Sequence, residues 1–206
     1  MVDSYPLQDL DEMLNNKNKK NLPKDKDVII MIEEYIRRRK IMGEYTDLYD
    51  ENKTLTGEKI FREKGKKAET PEGRYTIVVL AFIEDSKGNY LMQKTSVRKN
   101  GIWALPGGHV KSGQTSKEAI QEEILEEMGI DIDINDINLF KTYKYENAFK
   151  DVYIIHKNID LNEIRLEEDE VEKVVYLSKK EIYDLISTQE IRKTNIDAIE
   201  DVFKEI

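Results

Sequence analysis

The sequence predicts an α+β fold in which a mixed β-sheet carries helices on both of its faces. The run Tyr75–Ile83 is continuously apolar, as in a strand that is buried on both faces. Ile120, Ile124 and Met128 repeat at four-residue spacing, which is typical of a helix with one side in a core. Further strand-like segments follow, and two helical segments close the chain. Together these observations predict an α/β/α sandwich.

Length and composition are those of one ordinary domain with an appendage. The chain has 206 residues, and its 39% hydrophobic and 36% charged residues are usual for a soluble globular protein. The absence of cysteine excludes disulfides, thiolate metal sites and cysteine nucleophiles. The net charge of −9 argues against a nucleic-acid partner. No apolar run could span a bilayer and no secretory signal opens the chain, so we expect no membrane partner and a cytoplasmic location.

Residues 1–43 differ in character from the remainder, and we predict that they form an N-terminal helical extension. The polar, charged stretch 15–27 is typical of a linker. The helix predicted at Val28–Met42 has one apolar side, basic residues in its last turns and Gly43 as a stop signal. Such a side has to be buried, and the sequence leaves open whether this happens within the chain or in a homodimer.

Residues 44–72 are predicted to be a β-hairpin lead-in, and residues 73–206 to form the main domain. In the lead-in, two β-prone runs flank the turn-forming residues 50–53. In the main domain, the turn-forming residues 85–89 separate the apolar first strand from a second strand at Tyr90–Thr95. The chain thus reaches the central glycines through at least two consecutive strands.

The most informative segment begins at Gly107, after these strands. Gly107 and Gly108 follow Pro106, and two glycines permit a tight turn and a close approach of the backbone to a ligand. Thr115 or Ser116 is expected to cap the helix that follows, and Gly129 to end it. We therefore expect a glycine-rich turn followed by a helix of about three turns.

Three carboxylates share one side of this helix. Glu123, Glu126 and Glu127 lie three and four residues apart, so they converge, and their repulsion disfavours the helix unless a cation lies among them. Carboxylates without a Cys or His cluster indicate Mg²⁺ or Mn²⁺. Magnesium held by few carboxylates is usually completed by water and substrate phosphates. A solvated acidic surface is the alternative, but the adjoining glycines favour a diphosphate site.

Beyond this helix, three further strands are expected, at Leu139–Tyr145, Phe149–Lys157 and Val171–Leu177. Ser178 and Glu181 have the spacing of a capping box, which predicts a helix that extends to about Ile186. A last helix is expected over about residues 195–205.

The glycine-rich segment and its helix resemble the Nudix box. That pattern is Gly, five residues, Glu, seven residues, and then Arg-Glu-aliphatic-x-Glu-Glu-x-Gly-aliphatic. The positions that match are Gly108, Glu123, Ile124, Glu126, Glu127, Gly129 and Ile130. Two positions differ, because the first Glu is Gln114 and the Arg is Glu122. We expect the Gln114 amide to donate a hydrogen bond to the Glu122 carboxylate, which would preserve the link between them with reversed polarity.

The resemblance implies a Nudix sandwich and a metal-dependent pyrophosphohydrolase. Its partner would be a nucleotide-type small molecule, a nucleoside diphosphate derivative cleaved at its diphosphate linkage. Glu126 and Glu127 would bind Mg²⁺ or Mn²⁺, and Glu123 would bind the metal or deprotonate water. The backbone of Gly107 and Gly108 would complete the coordination.

Other candidate residues lie outside the box. Arg98 is predicted to contact substrate phosphate, and Tyr145 to contact the substrate. Glu168 or Glu170 would supply a further metal ligand or the base, so the identity of the base stays open between Glu123 and this loop. For each of them the alternative is an ordinary solvated or core side chain.

Two other functions need to be weighed. The changes at Gln114 and Glu122 leave open a non-hydrolytic module that binds a nucleotide through the same fold. A diphosphate isomerase is suggested by a looser resemblance of residues 44–63 to the lead-in of isopentenyl diphosphate isomerases. Those isomerases rely on a catalytic cysteine and a histidine-rich metal site. This chain has no cysteine and two histidines, which excludes the isomerase activity.

Overall fold

The structure, a computed structural model, describes residues 43–63 and 69–205. Within these ranges no helix combines the length and apolarity needed to cross a membrane. The helix predicted at Val28–Met42 lies outside the described residues. The homodimer through this extension and the division of the chain at residues 43 and 72 therefore stay predictions.

A mixed seven-stranded sheet forms the centre of the described fold. The strands of the described chain are β1 Gly43–Tyr49, β2 Leu55–Glu63, β3 Thr76–Glu84, β4 Tyr90–Thr95, β5 Trp103–Ala104, β6 Gly107–His109, β7 Asn138–Lys144, β8 Ala148–His156 and β9 Val171–Leu177. β1 and β2 pair with each other in a separate two-stranded sheet. The sheet runs β5-β4-β3-β8-β7, with β6 paired to β3 and β9 paired to β4. β3 and β8 are parallel, whereas β7 and β8 are antiparallel. The mixed sheet confirms the predicted fold class.

Helices cover both faces of this sheet. The α-helices of the described chain are α1 Ser116–Met128, α2 Lys179–Ser187 and α3 Ile196–Glu205. Successive residues of a strand point to opposite faces, and β3 shows this clearly. Val79 packs in one buried cluster with Ile124 of α1. Leu80 packs in a second cluster with Ile182 of α2 and Val202 of α3. The result is the predicted α/β/α sandwich.

The helix ends follow the local signals of the sequence. Thr115 is the N-cap of α1, and it exchanges hydrogen bonds with Glu118 in a capping box. Gly129 ends the helix in the left-handed conformation, with φ of +68°, which glycine adopts without steric penalty. Ser178 and Glu181 form the predicted capping box at the start of α2. Because the caps are local, these boundaries were predictable.

The lead-in hairpin is attached to the main sheet at its turn. The predicted turn residues 50–53 lie in the connection between β1 and β2, which spans residues 50–54. Tyr49 and Tyr75 form an antiparallel bridge. Lys53 Nζ donates to Asp151 Oδ2 of β8 at 2.7 Å, and Asp151 is only 1% exposed. This partly buried ion pair holds the hairpin turn against the sheet.

A buried lysine joins α3 to the opposite face of β8. Lys150 is 4% exposed. Its ammonium donates to Tyr145 Oη at 2.6 Å, to the Thr194 carbonyl oxygen at 2.6 Å and to Asp197 Oδ1 at 2.8 Å. These acceptors match the three donors of an ammonium group. The charge of Lys150 is therefore fully satisfied in the folded protein.

We expect Lys150→Met to lower the free energy of unfolding by about 2 kcal/mol. Breaking a buried ion pair costs about 3–5 kcal/mol, and the expected loss is smaller here because the Asp197 side chain is 40% exposed. Urea unfolding would measure the difference. The matched control is Lys141→Met, because Lys141 pairs with Asp201 at an exposed position and its loss should stay below about 1 kcal/mol. Equal losses in the two variants would contradict this role of Lys150.

Candidate active site

The three predicted acids of α1 lie on one side of the helix but have different surroundings. Glu127 points its carboxyl group inward, where Gln93 Nε2 of β4 donates to Glu127 Oε2 at 2.9 Å. The Glu126 side chain is 44% exposed, and its Oε1 lies 3.5 Å from Lys111 Nζ. Glu123 lies against the backbone of Gly108. The structure thus brings the predicted set together along one stripe of α1.

The carboxyl group of Glu127 is incompletely compensated. Burial raises its pKa, and the hydrogen bond from Gln93 and the positive charges of Lys99 and Arg192 offset this only in part. Gln93 Oε1 is buried and accepts no hydrogen bond in the described structure. Buried polar atoms are nearly always paired. A further polar or charged ligand is therefore expected beside Glu127 and Gln93.

Gly107 and Gly108 are not in the tight turn that the sequence suggested. Both lie in the extended strand β6, which pairs with β3, and neither has a positive φ. Their requirement for glycine is one of space. A Cβ on Gly107 would overlap the carbonyl oxygen of Val79, and a Cβ on Gly108 would overlap the carboxylate of Glu123. The predicted tight turn was therefore wrong, and a close approach of this backbone to a ligand stays a prediction.

The loop between β6 and α1 is anchored by residues of β1. Ser112 Oγ donates to Asp47 Oδ1 at 2.6 Å, and the Gly113 N–H donates to Asp47 Oδ2 at 2.8 Å. Thr46 Oγ1 donates to the Val110 carbonyl oxygen at 2.7 Å. Both anchors come from β1, so the lead-in hairpin positions the loop that precedes the acidic helix.

Lys111 extends from this loop onto α1, a role that the sequence did not reveal. Its Nζ lies 3.1 Å from Glu122 Oε2, in addition to its contact with Glu126. Burial by itself would lower the pKa of Lys111, but the carboxylates of Glu126 and Glu122 outweigh it and raise the pKa. The only available signal was the position of a lysine close before the helix.

The residues predicted to bind substrate have other partners in this structure. Arg98 is exposed and forms an ion pair with Asp169. Glu170 forms an ion pair with Lys99. The positive charge of Lys99 in turn lowers the pKa of Glu127. Tyr145 contacts α3, on the face of the sheet opposite to α1. The structure does not bring Arg98 or Tyr145 to the acidic stripe, and the substrate roles of all three stay predictions.

Arg192 is a cation near the site that the sequence did not single out. Its backbone N–H donates to the carbonyl oxygen of Trp103 at 2.8 Å, just before the β6 glycines. Its charge lowers the pKa of Glu127. Among the described residues, no carboxylate forms an ion pair with its guanidinium. Arg192 lies more than sixty residues beyond Glu127 in the chain, so no spacing rule connects the two.

Comparison with known proteins settles the family. The family model described as the NUDIX domain matches residues 74–199, more than half of the chain. The chain belongs to the Nudix hydrolase family. A Nudix hydrolase of Listeria monocytogenes, lmo0368, is 34% identical over 148 residues, which cover 70% of this chain and 85% of the relative. Membership confirms the predicted family and the predicted enzyme class, hydrolases that act on phosphorus-containing acid anhydrides.

Solved structures support the fold. The protein DR0079 of Deinococcus radiodurans superimposes with a TM-score of 0.62 at 21% identity, covering 77% of this chain and 98% of the other. A Francisella tularensis protein is described as a bifunctional NMN adenylyltransferase/ADP ribose pyrophosphatase, complexed with AMP and a manganese ion. It gives a TM-score of 0.52 at 20% identity and covers 68% of this chain and 43% of the other. At these identities the likeness establishes the Nudix fold.

The two altered positions of the Nudix box are joined as expected. Gln114 Nε2 donates to the Glu122 carboxylate, which confirms the predicted hydrogen bond of reversed polarity. The same side-chain amide makes a second hydrogen bond, in which Gln114 Oε1 accepts from the Lys111 backbone N–H at 3.1 Å. The connection between loop and helix is therefore intact in this Nudix protein, although neither residue is the usual one.

The acidic stripe fits a divalent cation, but its side chains have not converged. Among the described residues, no three acid or histidine side chains lie close enough together to hold an ion as they stand. Glu126 is turned to Lys111 and Glu127 to Gln93. The site nevertheless has hard oxygen donors, a poorly compensated carboxyl group and a glycine backbone in contact with Glu123. These are features that suit Mg²⁺ or Mn²⁺.

Proposed function

We propose that this Nudix protein is a metal-dependent pyrophosphohydrolase that cleaves the diphosphate linkage of a nucleoside diphosphate derivative, with Mg²⁺ or Mn²⁺ as its cofactor. The observation that carries the proposal is the inward carboxyl group of Glu127, whose pKa burial raises. An incompletely compensated carboxylate beside two further acids favours a cation as its partner.

Glu123, Glu126 and Glu127, with the backbone of Gly107 and Gly108, would hold the cation. A bound divalent cation neutralises diphosphate charge and lowers the pKa of water. In β6 the backbone of Gly108 lies directly against the Glu123 carboxylate, so it would reach a cation that this carboxylate holds.

The chain itself would orient the attacking water and accept its proton. The water oxygen forms a bond to phosphorus, the bond from phosphorus to the bridging oxygen breaks, and the proton passes to a carboxylate base. Glu123 is in contact with the Gly108 backbone and is one candidate base. The loop of Glu168 and Glu170 is the other, because the Glu167 N–H donates to the Glu127 carbonyl oxygen at 3.0 Å and so holds that loop against α1.

Arg192 and Lys99 are the cations best placed to meet substrate phosphate. Both act electrostatically on Glu127, so both lie near the carboxylates that would hold the cation. Guanidinium groups bind phosphate in a bidentate manner. Since Lys99 already pairs with Glu170, Arg192 is the stronger candidate.

We expect Arg192→Met to raise KM for the substrate about tenfold, because it removes one charge-assisted phosphate contact while the acids stay in place. Steady-state kinetics of the purified protein would measure the change. Arg98→Met is the matched control, because Arg98 is exposed and paired with Asp169, and its KM should change less than about twofold. The reverse result would restore Arg98 to the substrate-binding role that the sequence suggested.

The proposed reaction is tested by product release from a panel of nucleoside diphosphate derivatives with Mg²⁺ or Mn²⁺. The panel includes sugar nucleotides, CDP-alcohols, dinucleoside polyphosphates and nucleoside triphosphates. ADP-ribose is added because the Francisella protein is described as an ADP ribose pyrophosphatase. Metal-dependent turnover of one class would identify the substrate. Tight nucleotide binding without turnover would favour the non-hydrolytic module instead. A cytoplasmic location stays a prediction.

A further inference from the structure

Helix α1 carries one more carboxylate beside the acidic stripe of Glu123, Glu126 and Glu127 than the Nudix pattern does. Glu122 replaces the arginine of the pattern, so four carboxylates, at positions 122, 123, 126 and 127, fall within six residues. Like charges at three- and four-residue spacing destabilise a helix. The last turn of α1 contains no basic residue. Lys117 is the one basic residue of α1 and makes no ion pair among the described residues, so the positive charge that contacts these carboxylates comes from outside the helix.

Lys111 supplies that charge from the preceding loop. Its ammonium contacts Glu122 at 3.1 Å and Glu126 at 3.5 Å. The lysine side chain is only 20% exposed, and the two carboxylates are 37% and 44% exposed. This ion pair is therefore partly withdrawn from solvent and is screened less than a fully exposed one.

The position of Lys111 is fixed by the same residues that depart from the box. Gln114 accepts from the Lys111 backbone N–H and donates to Glu122. Asp47 anchors the two residues that follow Lys111 in the loop. Lys111, Gln114 and Glu122 thus form one connected unit. The Nudix pattern has a positive charge on the helix, at the position of Glu122, whereas here the positive charge lies in the loop, at Lys111.

Glu126 is the member of this network with two roles. It is an ion-pair partner of Lys111 and one of the proposed metal ligands, whereas Glu122 is not a proposed ligand. When a divalent cation binds to a carboxylate that contacts an ammonium group, the carboxylate has to break its contact with the ammonium or contact both cations at once. Glu122 remains as a second partner for the ammonium after Glu126 has turned away.

We propose that Lys111 is a resident cation of the active site, which neutralises the acidic stripe of α1 before metal binds and gives up Glu126 to the incoming metal. This inference rests on the proposed function, because it requires a divalent cation at the acids. Lys111 has two effects: it stabilises the metal-free protein and weakens the affinity for metal. It is a positioning residue, since it acts through Glu126 rather than on the substrate.

The test is Mn²⁺ binding without substrate, followed by electron paramagnetic resonance of the free ion. Lys111→Met should bind Mn²⁺ about tenfold more tightly than the unmodified protein, because a competing charge has been removed from two carboxylates. Its melting temperature should be lower without metal and should recover on addition of Mn²⁺. Lys111→Arg keeps the charge and should stay within about threefold of the unmodified protein.

Lys117→Met is the matched control. Lys117 lies in the first turn of the same helix, and no ion pair of its side chain is found among the described residues. The Lys117→Met substitution removes one positive charge and leaves the contacts among Lys111, Gln114, Glu122 and Glu126 intact. The Mn²⁺ affinity of this variant should therefore change less than about twofold. An effect equal to that of Lys111→Met would assign the result to net charge alone and overturn the proposal.

The remaining outcomes separate this inference from the proposed function. Mn²⁺ binding by the unmodified protein, with weaker or unchanged affinity in Lys111→Met, would overturn the role of Lys111 only. No Mn²⁺ binding by the unmodified protein would overturn both the metal site and this role. Lys111→Gln is the second variant in case Lys111→Met does not fold, and the same increase in affinity is expected of it.

Discussion

Glu127→Gln is expected to abolish turnover, with kcat/KM lowered roughly a thousandfold or more, and to leave the metal-free protein at least as stable as before. The carboxylate is needed to hold the metal, so its loss removes catalysis. The amide oxygen of the new residue can still accept the hydrogen bond from Gln93, which Glu127 accepts at 2.9 Å. The variant therefore removes a buried charge without losing its partner.

The effect on stability should depend on pH. Burial raises the pKa of Glu127 above its ordinary value of 4.5, so protonation of this group favours the folded state. That contribution is present below pH 4.5 and is lost as the pH rises through the folded-state pKa. Glu127→Gln resembles the protonated form, so its gain in stability should appear at neutral pH and vanish in acid.

Activity with Mg²⁺ and chemical denaturation at several pH values would measure these two effects. Glu200→Gln is the control, because Glu200 is exposed on α3 and its charge lies on the other side of the sheet from α1. Turnover in Glu127→Gln close to that of the unmodified protein would remove Glu127 from the metal site.

Alanine substitutions at the two neighbouring glycines of β6 are expected to affect different properties: Gly107→Ala should lower stability, and Gly108→Ala should lower activity. Gly107→Ala should lower the free energy of unfolding by about 3 kcal/mol or more. The new Cβ would overlap the carbonyl oxygen of Val79 and lie 2.8 Å from Leu80 Cδ2. Both atoms belong to β3 in the centre of the sheet, which is paired with β8 along its whole length and cannot give way easily.

Gly108→Ala should fold and lose activity. The three atoms nearest to its Cβ all belong to the carboxylate of Glu123, the far end of a flexible side chain that can turn aside. Displacing a group at the reacting centre by about an ångström costs on the order of a hundredfold in rate. Urea unfolding and kinetics of the two variants, side by side, would distinguish stability from activity. A folded, fully active Gly108→Ala would show that Glu123 needs no contact with this backbone.

The two positions that differ from the Nudix box show which contacts a local sequence pattern can predict. Gln114 and Glu122 lie eight residues apart, and their hydrogen bond could be predicted because the loop and first turns of α1 fix their distance. Lys111 is closer still in sequence to Gln114, yet its contacts with Glu122 and Glu126 were not predicted. A lysine side chain has four rotatable bonds, and its direction is set by the acids around it.

The reason why positions 107 and 108 require glycine could also be seen only in the three-dimensional structure. Consecutive glycines after a proline are usual in turns, and the sequence supports that interpretation. In the folded protein, the same residues form a strand that β3 and α1 approach closely. Only the packing distance separates the two explanations, and that distance depends on residues far away in the chain.

The sequence by itself determined the three described helices, the described strands other than β5 and β6, the caps of α1 and α2, the sandwich architecture and the acidic stripe of Glu123, Glu126 and Glu127. Periodicity and capping act over a few residues, so they can be recognised along the chain. The tertiary structure alone decided that Gln93 donates a hydrogen bond to Glu127 and that the charge of Arg192 acts on it. These interactions relate β4, α1 and the segment before α3, and no local spacing encodes which distant side chains come near one another when the sheet and helices pack together.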